Sequence, residues 1–97
     1  MVIDEIKEIN SIEDILGSKA RMKIIKTLVL NGELNISKII SKTHLNHTIV
    51  LKHLDFLKSC DLVQEKKFGR IRIYRYKIEN VKARSLKKFI EIWESSF

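Results

Sequence analysis

Cysteine, proline, glycine and aromatic residues are all scarce in this 97-residue chain, which has one cysteine, no proline, three glycines and 7% aromatic residues. The single cysteine, Cys60, excludes an internal disulfide and a thiolate cluster for a structural metal, so disulfide scaffolds and zinc ribbons are excluded. Apolar runs are short, and the acidic start MVIDEIKEIN lacks the apolar stretch of a signal peptide. These absences predict one small domain, residues 1–97, in the cytoplasm and away from membranes.

Charge is distributed unevenly along the chain. Residues 1–16 carry five acids and one base, whereas residues 17–97 carry eighteen bases and seven acids. The densest basic stretch contains no acid, and its bases are Lys66, Lys67, Arg70, Arg72, Arg75 and Lys77. Such a stretch suits a polyanion, because each neutralised phosphate releases condensed counterions. The charge pattern therefore favours a nucleic-acid partner.

Apolar residues recur at spacings of three and four in the first third of the chain, which indicates helices. Up to residue 17 they predict one amphipathic helix or two short ones, with Ser11 and Asp14 as a weak capping box. That stripe consists of Ile3, Ile6, Ile9 or Ile12, Ile15 and Leu16. Ser18 is the predicted N-cap of a next helix that ends at Asn31–Gly32. Its predicted apolar face is Ala20 or the stem of Arg21, then Ile24, Ile25, Leu28 and Leu30.

Two further helices follow in close succession. The first runs from about Ile36 to Thr43, and the second, capped by Asn46, runs from His47 to about Ser59. The core stripe of the second is Val50, Leu54 and Leu57. Because only a short turn separates these helices, the pattern indicates a helix-turn-helix.

The hydrophobic period changes from 3.6 to 2 after Asp61, which predicts strands. A strand opens at Leu62–Val63, Phe68–Gly69–Arg70 forms a turn, and a return strand runs from Ile71 to Ile78. On the return strand one face is predicted to carry Tyr74, Tyr76 and Ile78. A two-stranded hairpin that bears bases in this position is a wing. The predicted fold is therefore mainly α with a small β-hairpin, a winged helix-turn-helix.

The last segment, from Val81 to Phe97, also carries an apolar stripe at helical spacing. Unless something covers this stripe, it would leave an exposed apolar patch, and the stripe of residues 1–17 is an available partner. We therefore predict that residues 1–17 and 80–97 form a homodimer interface across a two-fold axis. Its predicted residues are Ile3, Ile6, Leu86, Phe89, Ile90, Trp93 and Phe97. The alternatives are that both segments complete the monomer core or that they hold a hydrophobic effector.

Several motifs together carry a family resemblance. They are the opening LGSKARMKIIKTL, the pattern V-x-K-H-L-x-x-L, the exit D-L-V and the wing pattern G-R-x-x-x-Y-R. Through these motifs, residues 16–76 resemble the winged-helix domain of ArsR-type transcriptional regulators. The resemblance implies a dimer formed by the flanking helices and a DNA-binding core over residues 18–78, with double-stranded DNA as the partner.

The sequence departs from the metal-sensing members of that family. They resemble one another in a Cys-x-Cys-type pair on the third helix, whereas residues 33–37 here read ELNIS. Other members bind zinc between the terminal helices through histidine and acidic ligands, but no histidine follows His53. His44 and His47 straddle a turn and lack convergent further ligands. We therefore expect no metal and no cofactor, and the sequence identifies no effector.

Docking of a helix-turn-helix places the start of the second of its helices in the major groove. The predicted contacts there are Asn46, His47, Thr48, Leu51 and Lys52, of which His47, Thr48 and Lys52 would read bases. Asn46 could serve as a cap alone, and Leu51 could touch a thymine methyl or pack sideways. On the wing, the predicted contacts to the DNA backbone are Lys66, Lys67, Arg70 and Arg72, with Arg70 entering the minor groove.

Two functions fit these features. The first is a homodimeric, sequence-specific transcription regulator that represses by covering a promoter. The second is a chromatin protein with little sequence choice, for which the excess of bases would suffice. A winged helix used only for protein contact would not need a basic wing. An enzyme is unsupported, because the chain has neither a Gly-rich phosphate loop nor a nucleophile paired with a base.

Overall fold

The computed structural model describes residues 11–95 of the chain. Within these residues five helices and three strands follow one another. Their bounds are α1 Ile12–Leu16, α2 Lys19–Asn31, β1 Glu33–Asn35, α3 Ile36–Thr43, α4 His47–Ser59, β2 Val63–Phe68, β3 Ile71–Tyr76 and α5 Val81–Glu94. The order is that of a winged helix-turn-helix, with α3 and α4 as the motif and β2 and β3 as the wing, so the predicted fold class is confirmed. No helix in this part of the chain is long and apolar enough to cross a membrane.

Polar side chains begin the helices as the sequence predicts. The Ser18 hydroxyl accepts a hydrogen bond from the Arg21 backbone N–H (3.1 Å), and the Asn46 amide oxygen accepts one from Ile49 (2.8 Å). These bonds satisfy amide groups that have no partner within the helix, and they stabilise each helix by about 1 kcal/mol. Gly32 ends α2 with a φ of 79°. The starts of α2 and α4 and the end of α2 are therefore set by local chemistry.

The sheet has three antiparallel strands in the order β1-β3-β2, so the prediction of a two-stranded hairpin is incomplete. Leu34 of β1 lies opposite Tyr74, and Glu65 of β2 lies opposite the same residue on the other side. A three-residue strand is too short to show a period of two, which is why β1 could not be predicted. The extra strand ties the base of the wing to the end of α2, where the Tyr76 backbone N–H donates to the Gly32 carbonyl (2.9 Å).

The core lies where α2, α3 and α4 pack on the inner face of the sheet. Its fully buried side chains include Ile24, Ile25, Leu28, Ile39, Val50, Leu54, Leu57 and Tyr74. Two residues predicted to face inward do not. Leu30 is 62% exposed, because Val29 follows Ile25 by one helical turn and takes the inner position. Ile78 is 49% exposed, because β3 ends at Tyr76 and the chain turns before Ile78.

The two terminal helices of the described chain leave apolar side chains in solvent. Ile90 is buried against the core of its own chain and Leu86 is half-buried, whereas Phe89 and Trp93 are exposed. The stripe of α5 is thus divided between the monomer core and the surface. The predicted interface residues Ile3, Ile6 and Phe97 lie outside the described residues.

Candidate nucleic-acid interface

The turn between α3 and α4 is fixed by its own hydrogen bonds. His44 ends α3 in the left-handed region, with a φ of 60°, and its backbone N–H donates to the Ile40 carbonyl. The buried Thr43 hydroxyl donates to the Ile39 carbonyl (2.7 Å) and accepts from the Leu45 backbone N–H (3.4 Å). These bonds and the Asn46 cap satisfy backbone groups of the turn, and they hold α4 in a defined direction relative to α3.

The first two turns of α4 have one buried face and one polar exposed face. Val50, His53 and Leu54 point inward. The predicted DNA contacts Asn46, His47, Thr48 and Lys52 are exposed, and Leu51 is half-buried beside them. The Asn46 amide oxygen is taken by the cap, which leaves its two N–H donors for a phosphate. Four of the five predicted residues are therefore accessible to a partner at the start of α4, and Leu51 is partly so.

Arg21 fixes α4 against the preceding helices. Its Nε donates to Nδ1 of His53 (3.3 Å), its guanidinium lies 3.8 Å from the ring centroid of Phe56, and a further N–H donates to the Asp14 carbonyl. Burial is the main cause that lowers the pKa of His53, and the nearby charges of Arg21 and Lys52 lower it further. A neutral imidazole suits this contact, since Nδ1 must accept. His53 therefore has a structural role.

The wing ends in a two-residue turn, Gly69–Arg70, between the cross-strand partners Phe68 and Ile71. Gly69 has a φ of 60°. A positive φ at the first central residue is typical of the tight hairpin turns that match the twist of the strands, and glycine adopts it without strain. The predicted turn is confirmed, and it places Arg70 at the exposed tip.

The basic stretch between residues 66 and 77 is largely matched by acids that the fold brings to it. Four of its six bases form ion pairs: Lys66 with Glu33 (2.9 Å), Arg72 with Glu65 (3.4 Å), Arg75 with Glu79 (2.7 Å), and Lys77 with Asp61. The hydrogen bond from Arg75 is the main cause that lowers the pKa of Glu79 to about 2. Within the described part of the chain, Lys67 and Arg70 form no ion pair, so the unmatched positive charge of this stretch lies at the tip.

Glu65 is a positioning residue that sequence reasoning missed. Its carboxylate accepts from Lys58 at the end of α4 (2.9 Å) and from the Tyr74 hydroxyl (2.8 Å), and it also lies beside Arg72. The hydrogen bonds from Lys58 and Tyr74 are the main causes that lower its pKa, so the carboxylate stays charged. These contacts link the end of α4 to both strands of the wing. Period-two alternation placed Glu65 on the strand but gave no sign of Lys58 as its partner.

Metal ligands do not gather in the described structure. Across residues 11–95, no group of three His, Cys, Asp or Glu side chains could hold a metal ion. Cys60 is buried at the end of α4, and burial is the main cause that raises the pKa of its thiol. A thiol in such surroundings is mostly protonated at neutral pH and reacts slowly.

Residues 18–65 match the model of a known family, the bacterial regulatory protein arsR family. This range extends from the cap of α2 into β2 and contains the whole helix-turn-helix. Comparison with curated protein sequences finds no significant match.

Solved structures of similar fold cover nearly the whole chain. HlyU from Vibrio cholerae has a TM-score of 0.76 at 15% identity, covering 94% of this chain and 94% of its own. The transcriptional repressor BigR from Xylella fastidiosa has a TM-score of 0.73 at 16% identity, covering 98% of this chain and 91% of its own. The transcriptional repressor PagR of Bacillus anthracis has a TM-score of 0.69 at 21% identity, with coverages of 93% and 97%. At these identities the likeness establishes the fold.

Family and fold together are those of transcription regulators, which are not enzymes. The family match contains the helix-turn-helix, and the structural likeness extends through the wing and the last helix. The single cysteine of the sequence leaves no thiolate pair of the kind that the family's metal sensors carry. The chain is thus an ArsR-type winged helix-turn-helix protein that lacks the metal-binding cysteines.

Proposed function

We propose that this protein is a sequence-specific, double-stranded DNA-binding transcription regulator that acts in the cytoplasm as a homodimeric repressor. One observation carries the proposal. The exposed polar face at the start of α4 is held rigidly by the Asn46 cap and by Arg21, and Glu65 ties the same helix to a wing whose tip bears unmatched positive charge. A recognition helix needs such support, because base reading requires side chains to be held in a fixed position.

The α4 residues divide into two roles in this proposal. His47, Thr48 and Lys52 reach base edges in the major groove, where hydrogen bonds distinguish the base pairs. Asn46 donates to a phosphate beside its cap, and Leu51 packs on the groove wall. Phosphate contacts set the register of the helix, and base contacts set the sequence it prefers.

The proposed contacts of the wing residues with the DNA backbone differ in strength. Lys67 and Arg70 carry the main backbone contacts, because no acid of the described structure neutralises them. Lys66 and Arg72 add weaker contacts, since each shares its charge with a carboxylate. No metal or cofactor takes part in this binding.

The proposed homodimer forms through the apolar faces of the terminal helices. A groove of about 540 Å³ separates α1 from α5, and its lining includes Ile12, Leu16, Val81, Leu86 and Phe89. Next to it the rings of Phe89 and Trp93 stack with centroids 5.9 Å apart, and Trp93 is 75% exposed. Apolar surface of this kind marks interaction sites, and two-fold dimers are the commonest assemblies. A dimer would present two recognition helices to two half-sites of a palindrome.

Repression is the simplest regulatory outcome of this architecture. A dimer bound across a promoter excludes other proteins from the same DNA. Two of the proteins of similar fold, BigR and PagR, are described as transcriptional repressors. The wing and recognition helix need no second domain to act in this way.

The first experiment compares specific with non-specific binding. Fluorescence anisotropy measures binding of the purified protein to the DNA upstream of its own gene and to random duplex of equal length, over a series of salt concentrations. We expect the upstream DNA to bind at least ~10³-fold more tightly at physiological salt. Equal binding with the same steep salt dependence would instead favour a chromatin protein of low specificity, an alternative that the net charge of +7 supports.

Substitutions in α4 test the base contacts directly. Thr48→Ala and Lys52→Ala should change the sequence that the protein selects from a random library, because each base contact discriminates by about 1–3 kcal/mol. Lys88→Ala removes an exposed base on α5, which is outside the proposed DNA contacts on α4 and the wing, and should leave the selected sequence unchanged. If both α4 variants select the wild-type sequence, Thr48 and Lys52 do not read bases.

A further inference from the structure

The tip of the wing exposes two large apolar side chains that the fold does not use. Phe68 is 60% exposed and Ile71 is 55% exposed, and they are direct cross-strand partners beside the Gly69–Arg70 turn. Neither side chain packs against the hydrophobic core. Residues 67–71 are all exposed, so the tip extends away from the rest of the domain. The short turn itself requires glycine and does not require large apolar neighbours.

The charge around this apolar pair is positive and unmatched. Lys67 precedes Phe68 and Arg70 precedes Ile71, and no acid of the described structure pairs with either base. The other four bases of the stretch are paired with carboxylates. The tip therefore combines two apolar side chains with two free cations within five residues.

This combination fits the minor groove of duplex DNA. Phosphates border that groove on both sides, and apolar side chains that enter it pack between base steps. Neighbouring strands lie about 4.8 Å apart before side chains are added, and the groove is only about 6 Å wide. Side chains as large as phenylalanine and isoleucine can be buried there only if the groove widens. Insertion of apolar wedges kinks DNA by roughly 20–90° toward the major groove.

We propose, on the basis of the DNA-binding function above, that Phe68 and Ile71 form a minor-groove wedge that bends the bound duplex while Lys67 and Arg70 hold the flanking phosphates. The wedge adds a second source of sequence preference to the recognition helix. Pyrimidine–purine steps such as TA and CA unstack easily, so the protein should favour them where the wing lies. This preference arises from the deformability of the DNA and requires no hydrogen bond to a base.

The test uses a duplex that the wild-type full chain selects from a random library, with dyes at both ends. Energy transfer between the dyes reports bending, and anisotropy over a salt series reports affinity. Phe68→Ala combined with Ile71→Ala should abolish the bend and weaken binding about tenfold, with an unchanged salt dependence. Ile78→Ala removes an exposed apolar side chain outside the wing and should change neither quantity. Arg70→Ala should reduce the salt dependence instead.

The outcomes separate the wedge from DNA binding itself. If the wild type binds the selected duplex without bending it, or if the double variant bends it equally, the wedge is refuted and the DNA-binding function stands. The wedge is also refuted if the double variant changes the sedimentation of the protein without DNA, since the apolar pair would then serve self-association. Failure of the wild type to bind any duplex at low salt would refute both proposals.

Discussion

Replacing Lys67 and Arg70 together by alanine removes the two unmatched charges of the wing tip. The matched control replaces Arg75 and Lys77 by alanine. It removes the same formal charge from the same stretch, but these two bases are paired with Glu79 and Asp61. All four side chains lie outside the hydrophobic core, so both double variants should fold. The comparison separates free charge at the tip from total charge.

The size of the effect follows from counterion release. Each neutralised phosphate contributes a slope of about −0.9 to the dependence of log affinity on log salt concentration. Two contacts per chain make four in a dimer, so the tip variant should reduce the slope by about 3.6. Between about 50 and 200 mM salt, the wild type should then lose ~10²-fold more affinity than the tip variant does. The control should have a slope close to that of the wild type.

Fluorescence anisotropy on one labelled duplex at five or more salt concentrations gives all three slopes. Equal slopes for the two double variants would refute the reasoning, because total charge and not free charge at the tip would then govern binding. A tip variant with the wild-type slope would show that the wing makes no phosphate contact.

Three further predictions concern assembly and stability. Trp93→Ala should weaken dimerisation by about 2 kcal/mol, as truncation of an interface tryptophan does. It should change monomer stability by less than about 0.5 kcal/mol. A dimer dissociation constant that is unchanged in sedimentation equilibrium would contradict the proposed interface. Tyr76→Phe should lower the free energy of unfolding in urea by about 1–2 kcal/mol, because the buried hydroxyl donates to the Ala83 carbonyl (2.7 Å). An unaltered midpoint of urea unfolding would argue against that bond. Burial, Arg21 and Lys52 lower the pKa of His53 in the folded chain. As the pH falls, the His53 imidazole is therefore protonated in the unfolded chain before it is protonated in the folded chain. The free energy of unfolding should fall as the pH drops below about 6.5 toward the folded pKa. His53→Gln keeps an acceptor for Arg21 and should remove this dependence in urea titrations at several pH values, and a variant that retains it would place its origin elsewhere.

Local features of the interface could be predicted because their chemistry spans only a few residues. An N-cap such as Ser18 or Asn46 bonds to the amide three positions ahead, and Gly69 supplies the positive φ of its own turn. Each of these signals is complete within one short window of sequence. The positions of the recognition helix and of the wing tip followed from them.

Features that depend on long-range contacts could not be predicted in the same way. The strand β1 exists because β3 lies beside it, and its three residues carry no period of their own. The Leu30 prediction was wrong because α2 packs through Val29, a choice that depends on the neighbouring elements. Ile78 was placed on the wrong side because nothing in the local alternation marks the end of β3 at Tyr76.

The sequence by itself determined the helix-turn-helix, the caps that begin its helices and the tight turn of the wing, because hydrogen bonds between near neighbours specify them. The tertiary structure decided which charges remain available for DNA. Lys66 meets Glu33 across 33 positions of sequence, and Arg21 meets His53 across 32. A run of bases without acids is therefore less basic in the structure than in the sequence, because the fold pairs four of its six bases with carboxylates that lie outside the run.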